Sequence, residues 1–411
     1  MKYLYNIGIH LYTTAITIAA AVNTKARLWC EGRKGLLRRI EEQHGTHTKR
    51  RVWIHVASLG EFEQARPIIE HIRKEQREVE IIVTFFSPSG YEIRKDFALA
   101  DAVHYLPADT PHNARRFIET LKPDIAIFIK YEFWLNYLSE LRKRNIATFL
   151  VAATFRNESI FFKPWGKLWR EALKTYSTIF VQNDTSVELL RSIGIESAVV
   201  AGDTRFDRVM AIAKEARQLP VIEAFRGARP LLVAGSTWPK DEELIAQLAK
   251  ENRDVKIVIA PHEIDTRHVD NIIARCEGKA IHYTACDDTT RYDDYQILVL
   301  DTMGMLSAVY RYARWAYIGG GFGAGIHNTL EAAVYGLPIA FGPRYQKFNE
   351  ATEMISRGIA HSISDYDELR AWFRDMKDED MWHSVHHAAE RYTSANCGAT
   401  ERICKVISSE E

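Results

Sequence analysis

At 411 residues the chain is long enough for two domains of ordinary size, each with its own core. Its 54 basic and 54 acidic residues cancel, which excludes a global field that would recruit nucleic acid or an acidic polymer. Five cysteines (Cys30, Cys276, Cys286, Cys397, Cys404) without C-x-x-C spacing exclude a disulfide framework and a zinc ribbon, and fit a reducing compartment.

From Tyr3 to Asn23 there is no Lys, Arg, Asp or Glu, and the run "GIHLYTTAITIAAAV" is largely apolar. A spanning helix needs ~20 such residues, and here His10, Thr13, Thr14 and Thr17 weaken the run. Lys25, Arg27, Arg33, Lys34, Arg38 and Arg39 follow it rather than precede it. That order differs from a signal peptide and keeps the body of the protein cytoplasmic if the segment spans. Residues 1–30 are therefore expected to be an uncleaved anchor, or an interfacial helix held by its basic flank against anionic headgroups. The plainer reading is a buried amphipathic helix in a soluble protein.

Beyond the basic stretch, β-type runs alternate with helical ones. "RVWIHVAS" leads into "FEQARPIIEHIRKE", "VEIIVTFF" into "GYEIRKDFALA", "AVHYLP" into "PHNARRFIETLK", and "DIAIFIK" into "YEFWLNYLSELRKR". The alternation resumes with "PLLVAGST", "KIVIAP", "YQILVLD", "WAYIGGG" and "PIAFGP", each followed by a helical pattern. Short apolar strands separated by helices predict parallel, doubly wound sheets. The expected fold class is α/β: two Rossmann-like domains facing a cleft, over residues 31–207 and 229–411. A charged linker over 208–228, containing Pro220, reads as a hinge.

In such sheets ligands collect at the carboxyl ends of the strands. Glu61 follows Gly60 where the first strand turns into a helix, and Glu132 in "KYEFW" occupies the equivalent edge of another strand. A helix-start acid complements the macrodipole, worth ~0.3–1 kcal/mol; at this edge it also stands where a base would deprotonate a hydroxyl. Arg205 in "GDTRFD" is a candidate anion-gripping cation, or one side of an ion pair with Asp203 or Asp207. In the second half, Ser236 and Thr237 of "AGST", Pro261 and His262 of "APHE", and Met303, Gly304 and Met305 of "DTMGM" all sit just past strands. "GGGFGAGIHNTLEAA" (319–333) opens a helix after a strand, so its amides and helix end suit a phosphate. No acid stands about twenty residues on to hold a dinucleotide ribose. Glu331 instead lies close by, with Asn328, Thr329 and Leu330 before it. Four such loops on one edge predict a nucleotide site. The acidic strings "DED" (378–380) and "CDDTTRYDD" lack the strand-end setting that holds Mg²⁺ between phosphates, and no metal is expected.

The ordered set "VWIHVASLGE", "TFFSPSG", "HYLPADTP", "KYEFWLN", "GDTRFD", "AGST", "DTMGM" and "GIHNTLEAAVYGLPIAFGP" resembles the 3-deoxy-D-manno-oct-2-ulosonic acid (Kdo) transferases. The resemblance implies a GT-B fold and transfer of Kdo from CMP-Kdo to a lipid A precursor, inverting and metal-free, at the cytoplasmic face of the inner membrane. It implies that Glu61 is the general base and Glu132 the acid of a Glu-Leu-Trp-Pro motif, here Glu-Phe-Trp-Leu. Arg205 falls where the family has Lys. Pro261 and His262 match a CMP-binding pair, and Met305 replaces the acid of Met-Gly-Glu. Asn328–Glu331 match Asn-Pro-Leu-Glu, with Thr329 for proline. CMP-Kdo is then a substrate, and no cofactor is implied. "FRNESIFFKPWGKLWR" (155–170) is expected to form a rim at the lipid surface, or else a packed amphipathic helix. Three rivals stand beside this reading: a GT-B transferase with a UDP-sugar donor, a nicotinamide oxidoreductase, and a non-catalytic nucleotide binder at a membrane.

Overall fold

The computed structural model describes residues 2–44, 49–76, 78–215 and 217–409. The chain divides into two compact units, Met1–Arg208 with Cys397–Glu411, and Val209–Asn396. The first is built on seven strands: β1 (Arg51–Val56), β2 (Glu80–Phe85), β3 (Ala102–Tyr105), β4 (Ile125–Ile129), β5 (Ala147–Ala153), β6 (Thr178–Val181) and β7 (Ala198–Val200). They pair in parallel in the order β3-β2-β1-β4-β5-β6-β7. Parallel pairing needs crossover helices on both faces, so the central strands are buried on both sides and read as mainly apolar runs. The period of two sends Trp53 to a core with Phe117, Phe128 and Tyr137, while Val52, Ile54 and Val56 join Phe62, Ile69 and Phe149 on the other face.

That second face is completed by the C-terminal helix Ala399–Ser409, which inserts Ile403, Cys404 and Ile407. Its start is tied down by Asp207, which accepts from Gly398 N (2.5 Å), Thr400 N (2.7 Å) and Thr400 Oγ1 (2.7 Å). Residues 397–411 thus belong to the first unit, where the sequence pattern had placed them in the second.

The second unit has β8 (Leu231–Thr237), β9 (Lys256–Pro261), β10 (Ala280–His282), β11 (Ile297–Val299), β12 (Trp315–Ile318), β13 (Ile339–Phe341) and β14 (Ala360–Ser362). Their order is β10-β11-β9-β8-β12-β13-β14, again all parallel. The stretch expected to be a linker is structured. The helix Thr204–Lys214 runs through its start, and the helix Pro220–Arg226 buries Ile222 and Phe225 in the second unit.

The N-terminal helices Lys2–Ala19 and Thr24–Arg33 are bent 120° to one another. Among the described residues no single helix is long and apolar enough to cross a membrane; these two pass that test only as a bent pair.

Candidate active site

The strand order reverses between β1 and β4 in the first sheet and between β8 and β12 in the second, and loops leaving the carboxyl ends beside such a reversal form a natural crevice. Glu61 and Glu132 flank the first reversal. Glu61 stands in the first turn of the helix Leu59–Glu75, half-buried, and its Oε2 accepts the Ser58 hydroxyl. Ser58 is the helix N-cap and makes no side-chain bond to the helix amides, so the S-x-x-E string is not a capping box here. The acid and its serine are engaged with each other. Partial burial raises the Tyr131 pKa against Thr154 and Arg156, which lower it, and the Glu61 charge adds to the rise.

Glu132 is clamped. Its Oε2 receives Trp134 Nε1 at 2.6 Å and lies 3.0 Å from His55 Nε2. His55, on β1, is 0% exposed, and its Nδ1 contacts Thr84 Oγ1 at 2.9 Å. The imidazole thus joins Glu132 to the sheet interior, and the indole N–H suits a carboxylate. His55, Ser58 and Trp134 were not singled out from sequence. A histidine inside a strand buried on both faces is the signal that could have found the first.

Arg205 is held in the ion pair that was one of its two readings. Its Nη2 and Nε lie 2.7 Å and 2.9 Å from Asp203 Oδ2. Asp203 is buried and also accepts Gln64 Nε2 (3.1 Å) and Gln182 Nε2 (3.0 Å). Burial alone would raise the Asp203 pKa; the charge and hydrogen bonds of Arg205, aided by Gln64, outweigh it and hold the carboxyl below its ordinary value. Gln64 sits one turn beyond Glu61 on the same helix, so the helix of Glu61 and the arginine share one buried hub.

In the second unit the glycine loop docks on β8. Gly319 N donates to Gly235 O at 2.9 Å, and a Cβ at Gly319 would meet Ser236 O at 2.3 Å, so only glycine permits this approach. Ser236 itself has φ +53° beside a register shift in β8, a backbone conformation that L residues other than Asn and Asp rarely hold outside functional edges. Asp241, buried, fastens the loop by accepting Gly320 N (2.9 Å), Trp238 N (2.9 Å) and Tyr317 OH (2.7 Å). The helix expected after the loop is a single turn, Leu330–Ala333. Four residues sum few peptide dipoles, so this edge presents loop amides rather than a helix end.

Glu331 is braced at both oxygens, by Ser307 Oγ on Oε2 (2.6 Å) and by Asn328 Nδ2 on Oε1 (2.9 Å). Met303 is exposed, Gly304 takes φ +84°, and Met305 Sδ accepts Thr302 Oγ1 at 3.0 Å. Thr237, Pro261, Thr329 and Leu330 are buried, so their side chains shape the loops from beneath. Thr237 spends its hydroxyl on Glu242 Oε1 at 3.1 Å.

His262 is exposed and belongs to a group of rings that sequence reasoning missed. Trp238 Nε1 donates to His327 Nε2 at 3.3 Å, placing the two rings side by side. His262 stacks on both, 5.0 Å from Trp238 at 24° and 4.4 Å from His327 at 27°. Burial, with His262 adding, lowers the His327 pKa to about 4, so that ring is neutral at pH 7. The result is a fixed aromatic floor with His262 lying over its seam, at the edge that also carries the glycine loop and Glu331.

Residues 32–208 match the family model described as 3-deoxy-D-manno-octulosonic-acid transferase (kdotransferase). The 3-deoxy-D-manno-octulosonic acid transferase of Rickettsia felis is 30% identical over 320 residues, 75% of this chain and 66% of the relative. That of Rickettsia conorii is 30% identical over 76% of this chain and 67% of the relative, and that of Bordetella pertussis 27% identical over 87% and 86%. The chain thus spans about two thirds of the length of the Rickettsia relatives. Among solved structures, UDP-GlcNAc 2-epimerase from Neisseria meningitidis bound to UDP-GlcNAc superposes with TM-score 0.62 at 13% identity, over 88% of this chain and all (100%) of that one. MurG from Acinetobacter baumannii gives 0.56 at 13%, over 88% and 100%. Likeness at that identity shows the fold alone, two Rossmann-like units of the GT-B type. The relatives go further: this chain belongs to the 3-deoxy-D-manno-octulosonic acid transferase family.

Proposed function

We propose that the protein transfers Kdo from CMP-Kdo to a hydroxyl of a lipid A precursor, with inversion at the anomeric carbon. The observation that carries the reading is Glu61: the acid matching the family's base heads the helix after β1, engaged by Ser58 instead of by helix amides. Glu61 takes the acceptor proton as the hydroxyl attacks, and Ser58 orients the carboxylate. Glu132 supplies a second carboxylate at the neighbouring strand end, immobilised by Trp134 and His55. Positive charge grows at the anomeric carbon while negative charge grows on the departing phosphate. Loop amides around Gly319–Gly321 are suited to the latter, where interaction that strengthens in the transition state lowers the barrier. A carboxylate offers about four lone-pair sites, so Glu331, braced by Ser307 and Asn328, keeps capacity for ribose hydroxyls. His262 on its aromatic floor completes the CMP site.

The protein works at the cytoplasmic leaflet of the inner membrane, with the N-terminal helix lying on the bilayer. Support comes from the exposed Leu4, Ile7, Leu11 and Ile18 of that helix and from Trp165, together with the basic residues that follow residue 24. Incubation with CMP-Kdo generated in situ and a lipid A precursor should give product whose mass has grown by whole Kdo units. Glu61→Ala should abolish that growth and leave CMP affinity within a few fold. Near-normal turnover by the variant would remove Glu61 from the reaction, and tighter binding of UDP than CMP in calorimetry would point to a UDP-sugar donor instead.

A further inference from the structure

One side of the helix Lys2–Ala19 crosses the carboxyl edge of the first sheet and touches loops that follow β2, β3 and β4. Near its start Tyr5 donates its hydroxyl to Asp109 Oδ2 at 2.6 Å, and Asn6 Oδ1 accepts Asn136 Nδ2 at 2.9 Å. Asp109 is 1% exposed. It also accepts Asn136 N and Tyr137 N, both at 3.0 Å, the first-turn amides of the helix Leu135–Lys143. Two turns further along, Tyr12 stacks on Phe86 at 6.2 Å and 23°. Phe86 lies 4.8 Å from Trp134, whose indole N–H grips Glu132 at 2.6 Å.

Two separate lines of contact thus run from one helix to the segment carrying Glu132. The first passes through a buried carboxylate that orders the helix beginning one residue after Trp134. The second is a chain of rings ending on the indole that holds the acid. Of the two groups on Glu132, His55 is anchored within β1 by Thr84. Trp134 sits in a loop at a helix N-cap, packed beside Phe86. A tether has no use for either line of contact, since apolar residues facing lipid would suffice.

We infer that Tyr5 and Tyr12 are positioning residues: the N-terminal helix is part of the wall that fixes Trp134 and Glu132, in addition to its place at a membrane. The inference rests on the transferase reading above, in which Glu132 belongs to the reaction machinery. Displacing a catalytic group by a fraction of an ångström slows the chemical step, whereas weakening surface attachment lowers only the effective acceptor concentration.

The full chain is assayed in detergent micelles with CMP-Kdo and the lipid acceptor, kcat and KM being measured separately. Tyr5→Phe keeps the ring packed against Trp169 (6.1 Å) and deletes the hydroxyl; Tyr12→Leu keeps an apolar residue and deletes the stack. Each should lower kcat about tenfold with KM nearly unchanged, and Tyr12→Phe should restore it. Leu4→Ser with Leu11→Ser, on the exposed face, should raise KM and leave kcat as it was. Should Tyr5→Phe prove unstable in thermal melts, Tyr12→Leu decides, because its ring is 46% exposed and its loss costs little packing. Unchanged kcat in Tyr12→Leu overturns the inference and leaves the helix a tether. Absence of Kdo transfer by the wild-type protein would instead overturn the transferase reading.

Discussion

Removing the indole of Trp238 should weaken CMP binding by an amount the ring geometry bounds. Trp238→Ala deletes one stacked face under His262, centroids 5.0 Å apart, and the N–H that fixes the neutral ring of His327. A stacked aromatic pair contributes about 0.5–1.5 kcal/mol beyond its buried area, and a net hydrogen bond a similar amount. Trp238 is 38% exposed and the bond is long at 3.3 Å, so values toward the lower half apply. The expected loss is about 1–2 kcal/mol, roughly 5- to 30-fold in Kd. Trp238→Phe retains a face and loses only the N–H, so its loss should be a few fold at most. Calorimetric titration of the folded variants with CMP reads this directly and requires no acceptor. An alanine variant that melts like the wild type and binds CMP within about twofold of it would show that the floor does not support the nucleotide site.

Acid stability should carry the mark of His104. Burial, then the neighbouring His44 at 3.0 Å, lower its pKa to about 4, while the unfolded chain titrates near 6.5. A depressed histidine stabilises the fold above the unfolded value and loses that contribution as pH falls toward 4. Linkage puts the loss at about 2 kcal/mol by pH 5. Asp109, raised to about 6 by burial, works with the opposite sign over the same range. Comparison with His104→Gln cancels the Asp109 term, and the variant should lose less stability between pH 7 and 5 in urea titrations; parallel curves would contradict the assignment. Truncation after Asn396 removes Ile403, Cys404 and Ile407 from the first unit's core and strips Asp207 of three donors. It should unfold the first unit, read by hydrogen exchange in β1 and β4, and spare β8 and β12. Trp165→Ser should weaken liposome binding without lowering Tm, because Trp165 is 66% exposed. Phe161→Ser, at 5% exposure among Phe133 and Phe155, should cost roughly 3 kcal/mol or more of stability in denaturant titration, and is no test of the membrane rim.

What could be read from the chain, and what could not, separates along the strands. β1 and β4 announce themselves because both faces are covered, so Val52–Ile54 and Ile125–Ile129 are apolar without alternation. Glu61, Glu132 and the glycine loop were legible because a polar or flexible residue where such a run stops is a local event. The C-terminal helix was not. "TERICKVISS" shows an apolar face but carries no sign of which sheet will cover it, and Asp207, which captures its start, is 191 residues from Gly398. The same holds for the floor under His262. Trp238, His262 and His327 lie in three loops, and they meet because parallel pairing sets Thr237 opposite Pro261 while β12 runs along the other side of β8. Each strand carries its loop to the same edge. Periodicity reports the strands; the register between them is a property of the packed sheet, and it decides which loop residues touch. That is why the acids could be picked out one by one, while the groups that hold them (His55 on the strand beside Glu132, Ser307 beside Glu331) emerged only once the sheets were assembled.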